Sequence, residues 1–190
     1  MLALVLASLL NLYTEGALSA FGGFRSIAAE VVWFKMDRLQ DEGKYAELNE
    51  LAHALCLSEP HTPEVWAYAA WNLAYNVSVM QERPEDRWYW VKCAIELLRD
   101  DALKLNPDCP DLYRELAFLF EIKLGTDLDK CGAYYRAQWA AECPEHPNPF
   151  WWAIYYASEG LKRDPKDAML NEILRQSKVL YGKSQIREHQ

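Results

Sequence analysis

One motif occurs three times in this chain, and it determines where helices end and begin. Residues 60–66, 107–113 and 144–150 each read proline, two residues, proline, two residues, aromatic. The first proline cannot continue a preceding helix, and the second stands where a missing backbone N–H is harmless, at a helix start. Each motif therefore predicts a turn between two helices.

The repeat continues beyond each motif. Four and five residues after the aromatic, the three copies again carry matching residues: Ala70, Ala117 and Ile154, then Trp71, Phe118 and Tyr155. An aromatic and a small residue four positions apart share one helical face, so a large ring packs where a neighbouring backbone comes close. The apolar periodicity predicts an all-α chain with helices over residues 26–42, 44–58, 64–80, 86–105, 111–124, 128–142, 149–162 and 166–181.

These features resemble the tetratricopeptide repeat (TPR) family, whose units are helix pairs of about 34 residues with an early aromatic, a small residue and a closing proline. Two further stretches resemble the family's turn and second helix: Gly43-Lys44-Tyr45 closed by Pro60, and Gly125 followed by residues 127–130 and Tyr134-Tyr135. The resemblance covers roughly residues 27–181. It implies a right-handed superhelix of antiparallel helix pairs, a TPR-like α-solenoid of about three to four repeats.

The second repeat departs from the family period. Pro63 and Pro110 lie 47 residues apart, whereas Pro110 and Pro147 lie 37 apart. The extra length falls near residues 80–86, between two long helices. The stretch over residues 22–80 also resembles uncharacterised bacterial TPR proteins with an apolar N-terminal segment.

The N-terminal segment, residues 1–24, carries a single charge, Glu15, and ends at a Gly22-Gly23 break. Its apolar start is typical of a membrane anchor or a signal-like segment, and we separate it from a repeat domain over residues 25–190. However, it lacks a basic start and is interrupted at Glu15. Two interpretations remain open: membrane contact through residues 1–20, or a helix packed on the first repeat. We slightly favour membrane association or export over a plain cytoplasmic location.

The net charge and the absence of known motifs disfavour several classes of function. The 28 Asp and Glu against 20 Lys and Arg give a net charge of -8, which disfavours nucleic acid as a partner. Cys143 and His146 lie close together, but no spacing matches a zinc site, and no catalytic or nucleotide-binding motif occurs. We therefore expect no enzyme, no cofactor and no metal. The predicted function is a non-catalytic protein–protein interaction scaffold for a protein or peptide partner.

In the TPR family a concave groove, lined chiefly by the first helix of each pair, takes the partner. Carried over through the internal alignment, the resemblance implies a groove of these residues: Glu64, Ala67, Trp71, Asp111, Arg114, Phe118, Glu121, Asn148, Trp151 and Tyr155. Arg114 would anchor a carboxylate or a ring face, and the carboxylates favour a basic or mixed partner segment. Alternatively, the chain's own N-terminal helix or C-terminal segment fills the groove, and the aromatics belong to the core.

Two further interpretations depend on single stretches. The family's carboxylate clamp of Lys, Asn and Arg is not matched, because the corresponding positions hold other residues: Trp33, Asp37, Trp71 and Phe118. Trp88 and Trp90 open the enlarged repeat and suggest a secondary contact, or rings buried beneath the insertion. The alternative function is a structural subunit of a membrane-associated bacterial assembly, anchored by the N-terminus.

Overall fold

The computed structural model describes residues 34–188, and its regular structure in this range is entirely helical. The predicted all-α class is therefore confirmed. The apolar segment over residues 1–24 and the residue Trp33 lie outside the described residues. None of the helices within residues 34–188 combines the length and apolarity needed to cross a membrane. The chain divides into two compact units, Met1–Pro60 and His61–Gln190.

The described part of the first unit is a pair of helices joined by a glycine turn. Helix α1 covers residues 34–41, and helix α2 is Tyr45–Ser58. Gly43 has φ +69°, a left-handed conformation that glycine adopts without steric penalty. The amide of Lys44 donates to the carbonyl of Leu39 at 2.8 Å, which ends α1 as left-handed glycine caps commonly do. The turn lies where the sequence predicts it.

The second unit has six helices among its described residues, 61–188. They are α3 over residues 63–80, α4 over 84–105, α5 over 110–124, α6 Gly132–Glu142, α7 Pro149–Arg163 and α8 Ala168–Glu188. The main differences from the predicted boundaries are a later start of α6 and a longer α8. Helix α6 starts late because Asp129 accepts a hydrogen bond from the backbone N–H of Cys131 at 2.9 Å, which holds that segment in turns.

Three of these helices contain a wider, π-helical turn. The turns are Asn72–Val77 in α3, Leu97–Ala102 in α4 and Leu119–Leu124 in α5. A π turn bonds residue i to i+5, so it shifts the register of the residues within and beyond it. Faces extrapolated from an α-helical spacing are therefore displaced at these turns.

The repeated motif has the predicted structural role, with one shift. Pro63 and Pro110 are the first residues of their helices. In the third copy the helix begins at Pro149, two residues after Pro147, and the side chain of Asn148 caps it by accepting from the N–H of Phe150 at 3.0 Å. An Asn cap satisfies an N–H that would otherwise lack a partner.

The aligned aromatics occupy equivalent environments. The motif aromatics are all buried: Trp66, Tyr113 and Phe150. Of the rings five residues further on, Trp71 and Tyr155 are both 43% exposed and Phe118 is half-buried. The repeat in the sequence thus corresponds to a repeat of buried and surface positions.

The core of the second unit centres on Phe120, which is fully buried. Its ring centroid lies 4.8 Å from that of Trp139, 5.7 Å from that of Tyr156 and 5.8 Å from that of Trp152. These rings come from α5, α6 and α7, so one aromatic cluster joins three helices.

A buried ion cluster, formed by Arg87, Lys123 and Asp129, fixes two connections of the second unit. Asp129 accepts from Arg87 Nη1 at 2.9 Å and from Lys123 Nζ at 2.7 Å. Arg87 also donates to two carbonyls where α3 ends, those of Val79 at 2.6 Å and Gln81 at 3.0 Å. The short α3–α4 connection, residues 81–83, is therefore tied to the α5–α6 connection through one carboxylate, and the extra length of this repeat lies in α3 and α4 themselves.

Candidate functional site

Three contacting rings extend from α3 to α5, and we call Trp71, Tyr75 and Phe118 the Trp71 cluster. The ring centroids of Trp71 and Tyr75 are 6.0 Å apart, and those of Tyr75 and Phe118 are 6.4 Å apart. Trp71 and Tyr75 are neighbours on α3 across the start of its π turn. Trp71 is the exposed end of the cluster, and the two predicted groove residues, Trp71 and Phe118, both contact Tyr75.

Tyr75 forms the inner part of the Trp71 cluster. Lys123 Nζ lies 5.1 Å from the centroid of its ring, which is a cation–π distance. Among the described residues its buried hydroxyl oxygen has no hydrogen-bond partner. Burial and the charge of Glu115 raise the pKa of Tyr75, so this hydroxyl stays protonated and available as a donor.

Glu115 is the neighbour that sequence reasoning missed. It stands three residues before Phe118 on α5, and residues at this spacing are neighbours on a helix surface. This spacing is the feature of the sequence that points to Glu115. Burial raises the pKa of Glu115, the charge of Arg114 opposes this, and Asp111 adds to it. Within the described part of the chain no cation forms an ion pair with Glu115.

Two more predicted residues extend the surface along α3. Glu64 is exposed and Ala67 is half-buried. They precede Trp71 by seven and four residues, spacings that keep all three on one helical face. Glu64, Ala67, Trp71 and Phe118 are thus the part of the predicted groove that lies at the Trp71 cluster.

The predicted anchor, Arg114, is already engaged within the chain. Its guanidinium pairs with Asp167 at 2.6 Å and with Asp111 at 2.8 Å. Asp167 lies in the connection between α7 and α8 and holds the start of α8 by accepting from the N–H of Leu170 at 2.9 Å. Arg114 therefore joins α5 to the C-terminal segment, and Asp111 pairs with the same guanidinium from within α5.

Glu121 faces α8 in the structure and is only 3% exposed. Its carboxylate accepts a hydrogen bond from Ser177 Oγ at 3.1 Å. The spacing that carried the groove prediction to Glu121 assumed a regular α-helix, but the residue lies inside the π turn Leu119–Leu124. Glu121 is part of an interior contact and does not line an open surface.

We predict that Glu121→Gln increases the free energy of unfolding at pH 7–8 by about 1 kcal/mol. Burial raises the pKa of Glu121, the hydrogen bond from Ser177 opposes this, and the charge of Glu172 adds to it. A raised pKa in an acid means that the native state loses stability as pH rises through the pKa of the unfolded chain. Urea unfolding between pH 4 and 8 measures this, and Glu145→Gln, which changes an exposed carboxylate between α6 and α7, is the control. The prediction is contradicted if the difference in the free energy of unfolding between Glu121→Gln and the native protein does not increase as the pH rises.

Asn148 also contacts the C-terminal helix. Besides capping α7, it donates from Nδ2 to Ser184 Oγ at 2.7 Å. Three predicted groove residues, Arg114, Glu121 and Asn148, thus contact residues between 167 and 184. At these positions the C-terminal segment occupies the surface that was predicted for a partner.

The remaining predicted groove residues, Trp151 and Tyr155, form a stack with His146. The rings of His146 and Trp151 are parallel with centroids 3.6 Å apart, and those of Trp151 and Tyr155 are 5.7 Å apart. Among the described residues no ring contact joins this stack to the Trp71 cluster. The aromatic residues of the predicted groove therefore form two ring groups, the Trp71 cluster and this stack.

The structure places Trp88 and Trp90 in the interior, which agrees with the second of the two interpretations of these rings. Trp88 and Trp90 are 6% and 7% exposed, whereas the ring between them, Tyr89, is 55% exposed. Trp88 stacks on the buried ring of Tyr135 with centroids 6.0 Å apart. Successive residues of a helix point in directions about 100° apart, so only the middle ring reaches the surface.

Comparisons with protein-family models, with curated proteins and with solved structures find no match to this chain. Within residues 34–188 no three His, Cys, Asp or Glu side chains are grouped as metal ligands.

Proposed function

We propose that this protein is a non-catalytic binding scaffold, built from TPR-like helix pairs, whose partner binds at the Trp71 cluster. The observation that carries the proposal is the exposure of Trp71 at the end of a ring cluster shared by two helices. Large, rigid aromatic side chains give much contact area for little loss of conformational entropy, and they dominate the binding energy of protein interfaces.

Several features support this surface over the others in the predicted groove. Arg114, Glu121 and Asn148 have partners in the C-terminal segment, so binding there would first have to displace a packed helix. Trp71 is 43% exposed, and Glu64 and Ala67 extend the same face of α3. The scaffold function therefore depends on α3 and the adjoining face of α5.

We predict that Trp71→Ala abolishes specific capture of a partner from a native lysate prepared with detergent. Removing a central aromatic anchor costs about 2 kcal/mol or more in binding, which is at least about thirtyfold. The matched control is Tyr89→Ala, which removes another exposed ring from the same unit and should leave capture unchanged. Circular dichroism and urea unfolding check that both variants stay folded.

Two outcomes contradict the proposal. If Trp71→Ala captures the same proteins as the native chain, the Trp71 cluster is not the binding surface. A third form, lacking residues 1–20, separates the alternative interpretation: loss of the partner only in this form would assign binding to the N-terminal segment.

A further inference from the structure

We propose that the Trp71 cluster and Glu115 together bind a cationic side chain, a lysine or an arginine, from a basic segment of the partner. This inference rests on the proposed function and names the chemistry of the ligand. It uses one residue, Glu115, that the groove predicted from the sequence did not contain.

The first argument is the chemistry of the rings. A Lys or Arg cation binds the face of Trp, Tyr or Phe when it lies within about 6 Å of the ring centroid. The protein already uses one ring of the cluster in this way, since Lys123 Nζ lies 5.1 Å from the centroid of Tyr75. Trp71 and Phe118 flank Tyr75 and are more accessible than its buried hydroxyl. A cationic side chain of a partner could therefore bind the aromatic rings of Trp71 and Phe118 in the same way.

The second argument is the uncompensated charge of Glu115. The one cation beside it in sequence, Arg114, pairs with Asp111 at 2.8 Å and with Asp167 at 2.6 Å. Two carboxylates already share this guanidinium, and among the described residues no other cation pairs with Glu115. A partly desolvated carboxylate without a cation is a destabilising feature, and a bound ammonium or guanidinium would compensate it.

Charge complementarity also selects the class of partner. Glu64 adds an exposed carboxylate on the same face as Trp71, and the chain as a whole has a net charge of -8. An acidic segment would be repelled, and an apolar one would leave the half-buried carboxylate of Glu115 without a cation. A basic segment alone satisfies both the rings and the carboxylate.

The test uses the full chain and three short peptides that differ only at two positions, which carry lysine, norleucine or glutamate. The termini are acetylated and amidated, so side chains supply all the charge. Binding is followed through the indole N–H signal of Trp71 in ¹H–¹⁵N spectra, which is identified by its absence from Trp71→Phe. We expect the lysine peptide to shift this signal saturably, and the other two to bind at least about tenfold more weakly.

The decisive variant is Glu115→Gln, with Glu145→Gln as its matched control. Both remove one negative charge, but Glu145 is exposed in the connection between α6 and α7. We expect Glu115→Gln to lower the affinity for the lysine peptide about tenfold and Glu145→Gln to leave this affinity unchanged. Glu115→Gln removes a half-buried charge and keeps the side-chain shape, so the variant should fold.

Each other outcome overturns the inference. Equal binding of the lysine and norleucine peptides, or equal effects of the two glutamate variants, would show that the site does not recognise a cation. Self-association that Trp71→Ala abolishes would assign the surface to a second copy of this chain. The proposed function would survive such results as long as Trp71→Ala still abolished capture from the lysate, so the two failures are distinguishable.

Discussion

Replacing Asp129 with asparagine should lower the free energy of unfolding by about 3–5 kcal/mol, the effect expected when one member of a buried ion cluster is removed. Asp129 is the only carboxylate of the buried ion cluster, and it accepts from both Arg87 and Lys123. Asparagine keeps the shape of the side chain but leaves two cations buried without a counter-charge. Urea unfolding at pH 7 measures the loss.

The control for this variant lies two residues away in the same connection. Asp127 pairs with Arg136 at 2.5 Å, but its side chain is 81% exposed. Ion pairs at the surface contribute about 0–1 kcal/mol, so Asp127→Asn should change stability by no more than that. Equal losses in the two variants would show that the buried charge of Asp129 contributes no more than a surface ion pair.

The same cluster predicts an acid-sensitive stability. Burial alone would raise the pKa of Asp129, but hydrogen bonds from Lys123 and the N–H of Cys131, together with the charges of Lys123 and Arg87, outweigh burial and lower it. A lowered pKa contributes stability above the pKa of the unfolded chain, about 3.9, and this contribution is lost as pH falls through the native value. The stability difference between native protein and Asp129→Asn should therefore shrink below about pH 4.

Most of the helices could be predicted because their signals are local. Prolines at helix starts and the apolar period act within a few residues, so α3, α5 and α7 begin close to their predicted positions. The buried ion cluster could not be predicted, because Arg87 and Asp129 are 42 residues apart. Asp129 was moreover placed inside a predicted helix, where it would have pointed to solvent.

The candidate site was predicted in part for the same reason. Trp71 and Phe118 were found because they repeat at equivalent positions of aligned units. Tyr75 and Glu115 have no such repeat, and their roles depend on which side chains of the facing helix they meet. Glu121 shows the opposite failure, since an ideal helical spacing was extended into a π turn that no local signal revealed.

Phe118 and Phe120 provide the sharpest test of whether the Trp71 cluster is a binding surface or part of the core. Phe120 is fully buried among three other rings, so Phe120→Ala should lower the free energy of unfolding by about 3–5 kcal/mol. The ring of Phe118 is half-buried, and its centroid lies 6.4 Å from that of Tyr75. Phe118→Ala should therefore lower the free energy of unfolding by only about 1 kcal/mol. Urea unfolding of both variants measures the difference.

Their effects on binding should run in the reverse order at temperatures where both variants are folded. Phe118→Ala should weaken partner capture, because the ring belongs to the Trp71 cluster, whereas folded Phe120→Ala should bind as the native chain does. If Phe118→Ala destabilised the protein as much as Phe120→Ala, the Trp71 cluster would be core packing. The proposed binding surface would then have to be abandoned, because the rings that support Trp71 would belong to the interior of the protein and could not contact a partner.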